Sequence, residues 1–100
     1  MSFDLNKLME QAQELQKLQE EAAKETASAS AGGGMVTVTA SAGGQILELK
    51  IDPKAIDPDD PELLADLVMA ATNEALRAAQ AKVEAKMKSM LPPDLGGLLG

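Results

Sequence analysis

The sequence has 100 residues, a formal net charge of −7, and no cysteine, histidine, tryptophan or tyrosine. Without these side chains there are no disulfides, thiol nucleophiles or histidine bases, so most catalytic sites and soft-metal sites are excluded. Hydrophobic residues make up 45% of the chain, but 17 residues are alanine and only Phe3 is aromatic. We therefore expect one domain with a thin core, which self-association would supplement.

The start of the chain, MSFDLNK, lacks the basic and apolar regions of a signal peptide. Apolar runs are all much shorter than the roughly 20 residues that span a bilayer. These features predict a cytoplasmic protein with no membrane partner. Its charge is uneven, because residues 52–74 contain seven acids and one lysine (−6), whereas residues 75–100 contain four bases and two acids (+2).

A first amphipathic helix is predicted from the start of the chain to about Ala23, with Ser2 or Asp4 as its N-cap. Its apolar residues follow the three-and-four spacing of a coiled coil: Leu5, Leu8, Ala12, Leu15 and Ala22. After this helix the hydrophobic period changes to two, which predicts three antiparallel strands joined by the Gly32-Gly33 and Gly43-Gly44 turns.

Two-residue turns would determine which residues face each other across these strands. The second turn would pair Ala40 with Leu47, Val38 with Leu49 and Val36 with Ile51. The first turn would pair Ala29 with Val36 and Ala27 with Val38. All these pairs lie on one apolar face, which a flanking helix must cover. The residues expected in the core or in a dimer interface are Val36, Val38, Leu47, Leu49, Ile51, Leu64 and Val68.

A second, longer helix is predicted from Pro61 to about Met90, with Asp60 as its N-cap and Asp52-Pro53 ending the preceding strand. At 1.5 Å per residue this helix is roughly 45 Å long, which exceeds the width of a compact domain of this size. Its far end must overhang the sheet or meet a partner chain. Residues 1–90 are thus predicted as a single domain and residues 91–100 as a flexible Pro/Gly/Leu tail.

Three further patterns each have a functional and a structural interpretation. The acids Asp57, Asp59, Asp60 and Glu62 offer oxygen ligands for a hard cation, but helix capping is the favoured interpretation and no metal site is predicted. The glycine run precedes a strand and is not followed by Gly-Lys-Ser/Thr, so a turn is favoured over a phosphate loop. The bases Arg77, Lys82, Lys86 and Lys88 suit either phosphate contacts or a solvated helix face, and the residues alone favour the solvated face.

Three segments carry a resemblance to a known family: the LMxQAQ start at residues 8–13, the glycine run leading into Val36 and Val38, and the stretch from Asp66 to Ala75. Together they are similar to the YbaB/EbfC family of bacterial nucleoid-associated proteins, over nearly the whole chain up to about Met90. The resemblance implies an α+β fold whose elements follow the order helix, three-stranded meander, long helix. Two copies form a homodimer in this family, and their helices project as arms that engage double-stranded DNA. It implies low or modest sequence preference, a role in nucleoid organisation or gene expression, and no cofactor or small-molecule substrate.

The resemblance also indicates which residues contact DNA. Arg77 matches a basic position of the family's second helix, although Ala78 stands where members commonly have lysine. Lys82, Lys86 and Lys88 are the further candidates, with Lys7 and Lys17 of the first helix secondary. The alternative function is a protein-interaction or assembly module for replication or recombination machinery, and an enzyme is the least favoured class.

Overall fold

The computed structural model describes residues 4–90 as an α+β fold with the predicted order of elements. The three strands form one antiparallel sheet in the order β1-β2-β3, which is the predicted meander. Ser2, the other candidate N-cap, lies outside the described residues. So does the tail at 91–100, which the sequence predicts to be flexible. The elements are α1 (Leu5–Ala23), β1 (Thr26–Ala31), β2 (Val36–Ser41), β3 (Ile46–Ile51), a 3₁₀ turn (Pro53–Ala55) and α2 (Pro61–Met90).

Both helices begin at the predicted caps. The Asp4 carboxylate accepts a hydrogen bond from the Lys7 backbone N–H at 3.2 Å. The Asp60 carboxylate accepts a hydrogen bond from the Leu63 backbone N–H at 3.2 Å, and Pro61 occupies the first helical position. Each cap satisfies a backbone donor that the first turn of a helix leaves unpaired.

The predicted register of β2 against β3 is confirmed away from the turn and is wrong beside it. Two predicted pairs are present: Val38 with Leu49, and Val36 with Ile51. Ala40, however, faces Ile46 and not Leu47. Four residues, 42–45, lie between the two strands, and a bulge between Thr39 and Ala40 restores the predicted register farther along the strands.

The predicted register of β1 against β2 is wrong by two residues. Ala29 pairs with Val38 and Ala27 with Ala40, because the loop comprises four residues, 32–35. Gly32, Gly33 and Gly34 all have positive φ, so all three lie in the loop. A shift of two residues keeps every side chain on its predicted face, since side chains in a strand alternate with a period of two.

The core lies between α2 and the first two strands. Val36, Val38 and Ala40 are fully buried there against α2. Three alanines spaced four residues apart form the buried stripe of the helix: Ala71, Ala75 and Ala79. Ile51, Leu64 and Val68, which belong to the same predicted set, are partly buried around this core.

The third strand is not covered in the same way. Leu47 and Leu49, which the sequence predicts in the core or in a dimer interface, are 53% and 46% exposed in the single chain. α1 has no buried residue at all, so its apolar stripe also faces solvent. The radius of gyration is 19.7 Å, compared with about 13 Å for a compact domain of 100 residues. A single chain therefore leaves much of its apolar surface uncovered.

The alanine stripe allows α2 to lie close to the sheet, and enlarging it should be costly. We expect Ala75→Leu to lower the free energy of unfolding by about 1–3 kcal/mol, because Ala75 is fully buried and the added atoms must displace Val36 or Val38. The control is Ala81→Leu, which makes the same change at an exposed position of the same helix. Urea unfolding followed by circular dichroism measures both variants; equal stability of the two would contradict this packing.

Candidate nucleic-acid interface

The four basic residues in the second half of α2 lie on two sides of the helix. Lys82 and Lys86 are four residues apart, and their positions continue the side on which Ala75 and Ala79 face the sheet. Arg77 and Lys88 are eleven residues apart, which is about three turns, and lie on the opposite side. The four candidates therefore form two pairs and not one patch.

The inner pair contacts the start of the sheet. The Lys82 ammonium donates a hydrogen bond to the backbone carbonyl of Thr26 at 2.7 Å. The Lys86 ammonium lies 2.6 Å from the carboxylate of Glu25, forming a salt bridge between α2 and the residue preceding β1. The prediction that these lysines bind phosphates therefore concerns groups that already have partners within the chain.

Both lysines affect the pKa of the Glu25 carboxyl group. The hydrogen bond from Lys86, together with the charges of Lys86 and Lys82, lowers the pKa of its carboxyl group, while partial desolvation opposes this shift. A pKa that is lower in the folded state means that the interaction stabilises the fold above the ordinary pKa of glutamate. This stabilisation is lost as the pH falls through the lowered value.

The outer pair is exposed to solvent. Arg77 lies 3.1 Å from the Glu74 carboxylate, one turn away on the same helix, and both side chains are mostly exposed. Such pairs are weak, so the guanidinium can exchange this partner for another anion. Within residues 4–90, the side chains of Lys88, Lys7 and Lys17 form no hydrogen bond or salt bridge, and all three are exposed.

The second half of α1 lies opposite the far end of α2 across a groove of about 430 Å³. Leu15 and Leu18 form one wall, and Val83, Met87 and Met90 form the other. At the end of α1, the backbone N–H of Gly43 donates to the Ala23 carbonyl at 3.0 Å, joining the helix to the β2–β3 turn. The basic end of α2 and the helix α1 are thus neighbouring parts of one surface.

The acidic residues before α2 have structural roles. Asp57 accepts a hydrogen bond from the Asp59 backbone N–H at 2.9 Å, and Asp60 caps the helix. Within residues 4–90 no group of three acids is placed to hold a metal ion. In that same range, neither α1 nor α2 is sufficiently apolar to cross a bilayer.

Sequence reasoning missed Glu25 and the Thr26 carbonyl as partners of the lysines. Glu25 and Lys86 are 61 residues apart, and nothing in the local pattern of either segment connects them. Only the packing of α2 along β1 brings them together. A backbone carbonyl has no signature in the sequence at all.

Comparison with known proteins places these features in context. The YbaB/EbfC DNA-binding family matches the chain over residues 1–95. The chain is 46% identical to a nucleoid-associated protein of Acetivibrio thermocellus, over 97% of this chain and 88% of the relative. It is 48% identical to a nucleoid-associated protein of Moorella thermoacetica, over 84% of this chain and 85% of the relative. A crystal structure of an uncharacterized protein from Helicobacter pylori superposes with a TM-score of 0.60 at 26% identity, covering 84% of this chain and 98% of that chain.

Proposed function

The chain belongs to the YbaB/EbfC DNA-binding family, and we propose that two copies associate and bind duplex DNA with low or modest sequence preference. The protein would act at the nucleoid, in the cytoplasm, and affect nucleoid organisation or gene expression. Relatives named as nucleoid-associated proteins support this role.

The uncovered apolar surface supports the homodimer. Leu47 and Leu49 flank the core on the strand that α2 leaves open, and none of the residues in the stripe of α1 is buried. A second copy placed on β3 would bury these side chains, and stable interfaces commonly bury about 1,200–2,000 Å² in total. The small alanine-rich core gives the chain a physical reason to associate.

The distribution of cations supports contact with the DNA backbone. Dimerisation doubles the six candidate bases to twelve, which is a large number for a protein of this size. The net charge of −7 per chain repels DNA elsewhere, so binding must be confined to the basic helix ends. Phe3 is the only aromatic residue, so stacking on unpaired bases is not available and contacts to phosphates should dominate.

The proposal depends most on the outer pair, Arg77 and Lys88, which is exposed on the outer side of α2. The far half of this helix extends along α1. A titration of labelled duplexes, followed by fluorescence anisotropy between about 20 and 200 mM salt, tests it. Six or more phosphate contacts predict that affinity falls about 10³-fold or more between 50 and 200 mM salt. Two duplexes of unrelated sequence should bind similarly. Absence of binding to either duplex below about 50 mM salt would refute the proposal, because electrostatic binding is strongest there.

The apolar groove favours a second candidate function, an assembly module that docks another protein. Leu15, Leu18 and Met87 expose a continuous hydrophobic surface that DNA contacts alone do not explain. A partner recovered from nuclease-treated lysate by the wild-type protein, and equally by a variant with reversed charges at Arg77 and Lys88, would support this function over DNA binding.

A further inference from the structure

Glu25 is held in a defined position between α1 and β1. Its backbone N–H donates to the Ala22 carbonyl at 3.1 Å, and its backbone carbonyl accepts from the Ala42 N–H at 2.8 Å. Its side chain is 24% exposed, whereas that of Lys86 is 67% exposed. The carboxylate is therefore anchored to the fold, and the flexible lysine reaches across to it.

The carboxylate offers Lys86 the same chemistry as a DNA phosphate. Both are anionic oxygen acceptors that form short, charge-assisted hydrogen bonds with an ammonium group. The distance of 2.6 Å shows that Lys86 already makes such a bond. Lys82 differs, because its partner is the neutral carbonyl of Thr26 and its charge is not cancelled by that contact.

We propose that Glu25 competes with DNA phosphates for Lys86, so that this intramolecular salt bridge lowers the affinity of the protein for duplex DNA. The inference rests on the proposed function and adds to it a residue that sets the strength of binding. The lowered pKa of Glu25 agrees with a carboxylate that stays ionised and paired at neutral pH.

The competition weakens binding and does not prevent it. Lys86 is largely exposed, and ion pairs between exposed groups are easily opened. When a phosphate takes Lys86, the Glu25 carboxylate remains as an unpaired anion beside Lys82 and close to the DNA. Binding then gains one phosphate contact but leaves one anion to be neutralised by a salt cation. Lys86 should consequently add little to the salt dependence of wild-type binding.

Glu25→Gln removes the competing charge and preserves the shape of the side chain. We expect this variant to bind a duplex at least about threefold more tightly at 50 mM salt. The slope of log K against log salt should steepen by about 0.9 for each lysine released, or about 1.8 for a homodimer. Between 50 and 200 mM salt, its affinity should therefore fall about tenfold more than that of the wild type.

Glu84→Gln is the matched control. It removes one negative charge from α2 itself, at an exposed residue that forms no salt bridge with the other described residues. If the gain in affinity reflected net charge alone, Glu84→Gln would reproduce both the tighter binding and the steeper slope. We expect it to reproduce neither in full, because it releases no lysine.

The same substitution made in a protein that lacks Lys86 tests whether Glu25 acts through this lysine. In a Lys86→Gln protein, Glu25→Gln should change the affinity and the salt slope no more than Glu84→Gln does, because the lysine for which Glu25 competes is absent. Thermal unfolding of every protein in this series shows whether it is folded at the titration temperature. Failure of the wild type and of Glu25→Gln to bind DNA would refute the proposed function itself. Binding by both with the same affinity and slope would refute only the competition.

Discussion

Replacing Leu47 and Leu49 with aspartate is expected to convert the proposed homodimer to a monomer. Both side chains are about half exposed in the single chain, on the strand that α2 does not cover. If a second copy buries them, the variant must desolvate four carboxylates at the centre of a symmetric interface. A loss of about 4 kcal/mol, equivalent to two strong interface residues, raises the dissociation constant about 1,000-fold.

Sedimentation equilibrium over a range of concentrations measures this constant. Lys50→Asp serves as the control, because it changes the net charge by the same −2 and lies on the same strand. Lys50 belongs to the polar face, where it pairs with Thr37 and forms a salt bridge with Glu48 at 3.4 Å. We expect Lys50→Asp to stay dimeric. A wild-type monomer, or a Leu47→Asp/Leu49→Asp variant that remains dimeric, would show that this surface is not the interface.

Reversing the outer pair of cations should nearly abolish binding to DNA. The double variant Arg77→Glu/Lys88→Glu removes four positive charges from a homodimer and leaves the contacts of Lys82 and Lys86 with the start of the sheet intact. Affinity for a duplex at 50 mM salt should fall about 100-fold or more, and the salt slope should decrease by about 3.6. The loss should be the same for unrelated sequences, because phosphate contacts carry no sequence information.

Lys50→Glu/Lys54→Glu tests whether this loss depends on position. It makes the same change in net charge on the sheet and in the loop before α2. Long-range repulsion alone predicts equal losses for the two double variants, whereas direct phosphate contacts predict a much larger loss for Arg77→Glu/Lys88→Glu. Equal binding by both would place the DNA contacts elsewhere on the molecule.

The amino-acid sequence by itself determined the elements of this fold and most of their ends. Asp4, Asp60 and Pro61 mark helix starts through local hydrogen bonds and fixed dihedral angles, which need no distant residue. The alternation of Val36 and Val38 with threonines identified the apolar face of β2, because successive side chains of a strand point to opposite faces. Even the wrong register of β1 preserved the faces, because the error was an even number of residues.

Only the tertiary structure decided how the turns close, which strand stays uncovered and which lysines have partners. A glycine pair permits turns of two, three or four residues, and the choice depends on how the whole hairpin twists and packs. α2 lies across β1 and β2 because its alanine stripe fits there, and this position leaves Leu47 and Leu49 exposed. The same packing brings Lys86 to Glu25, since two residues 61 positions apart meet only when the elements that carry them are in contact.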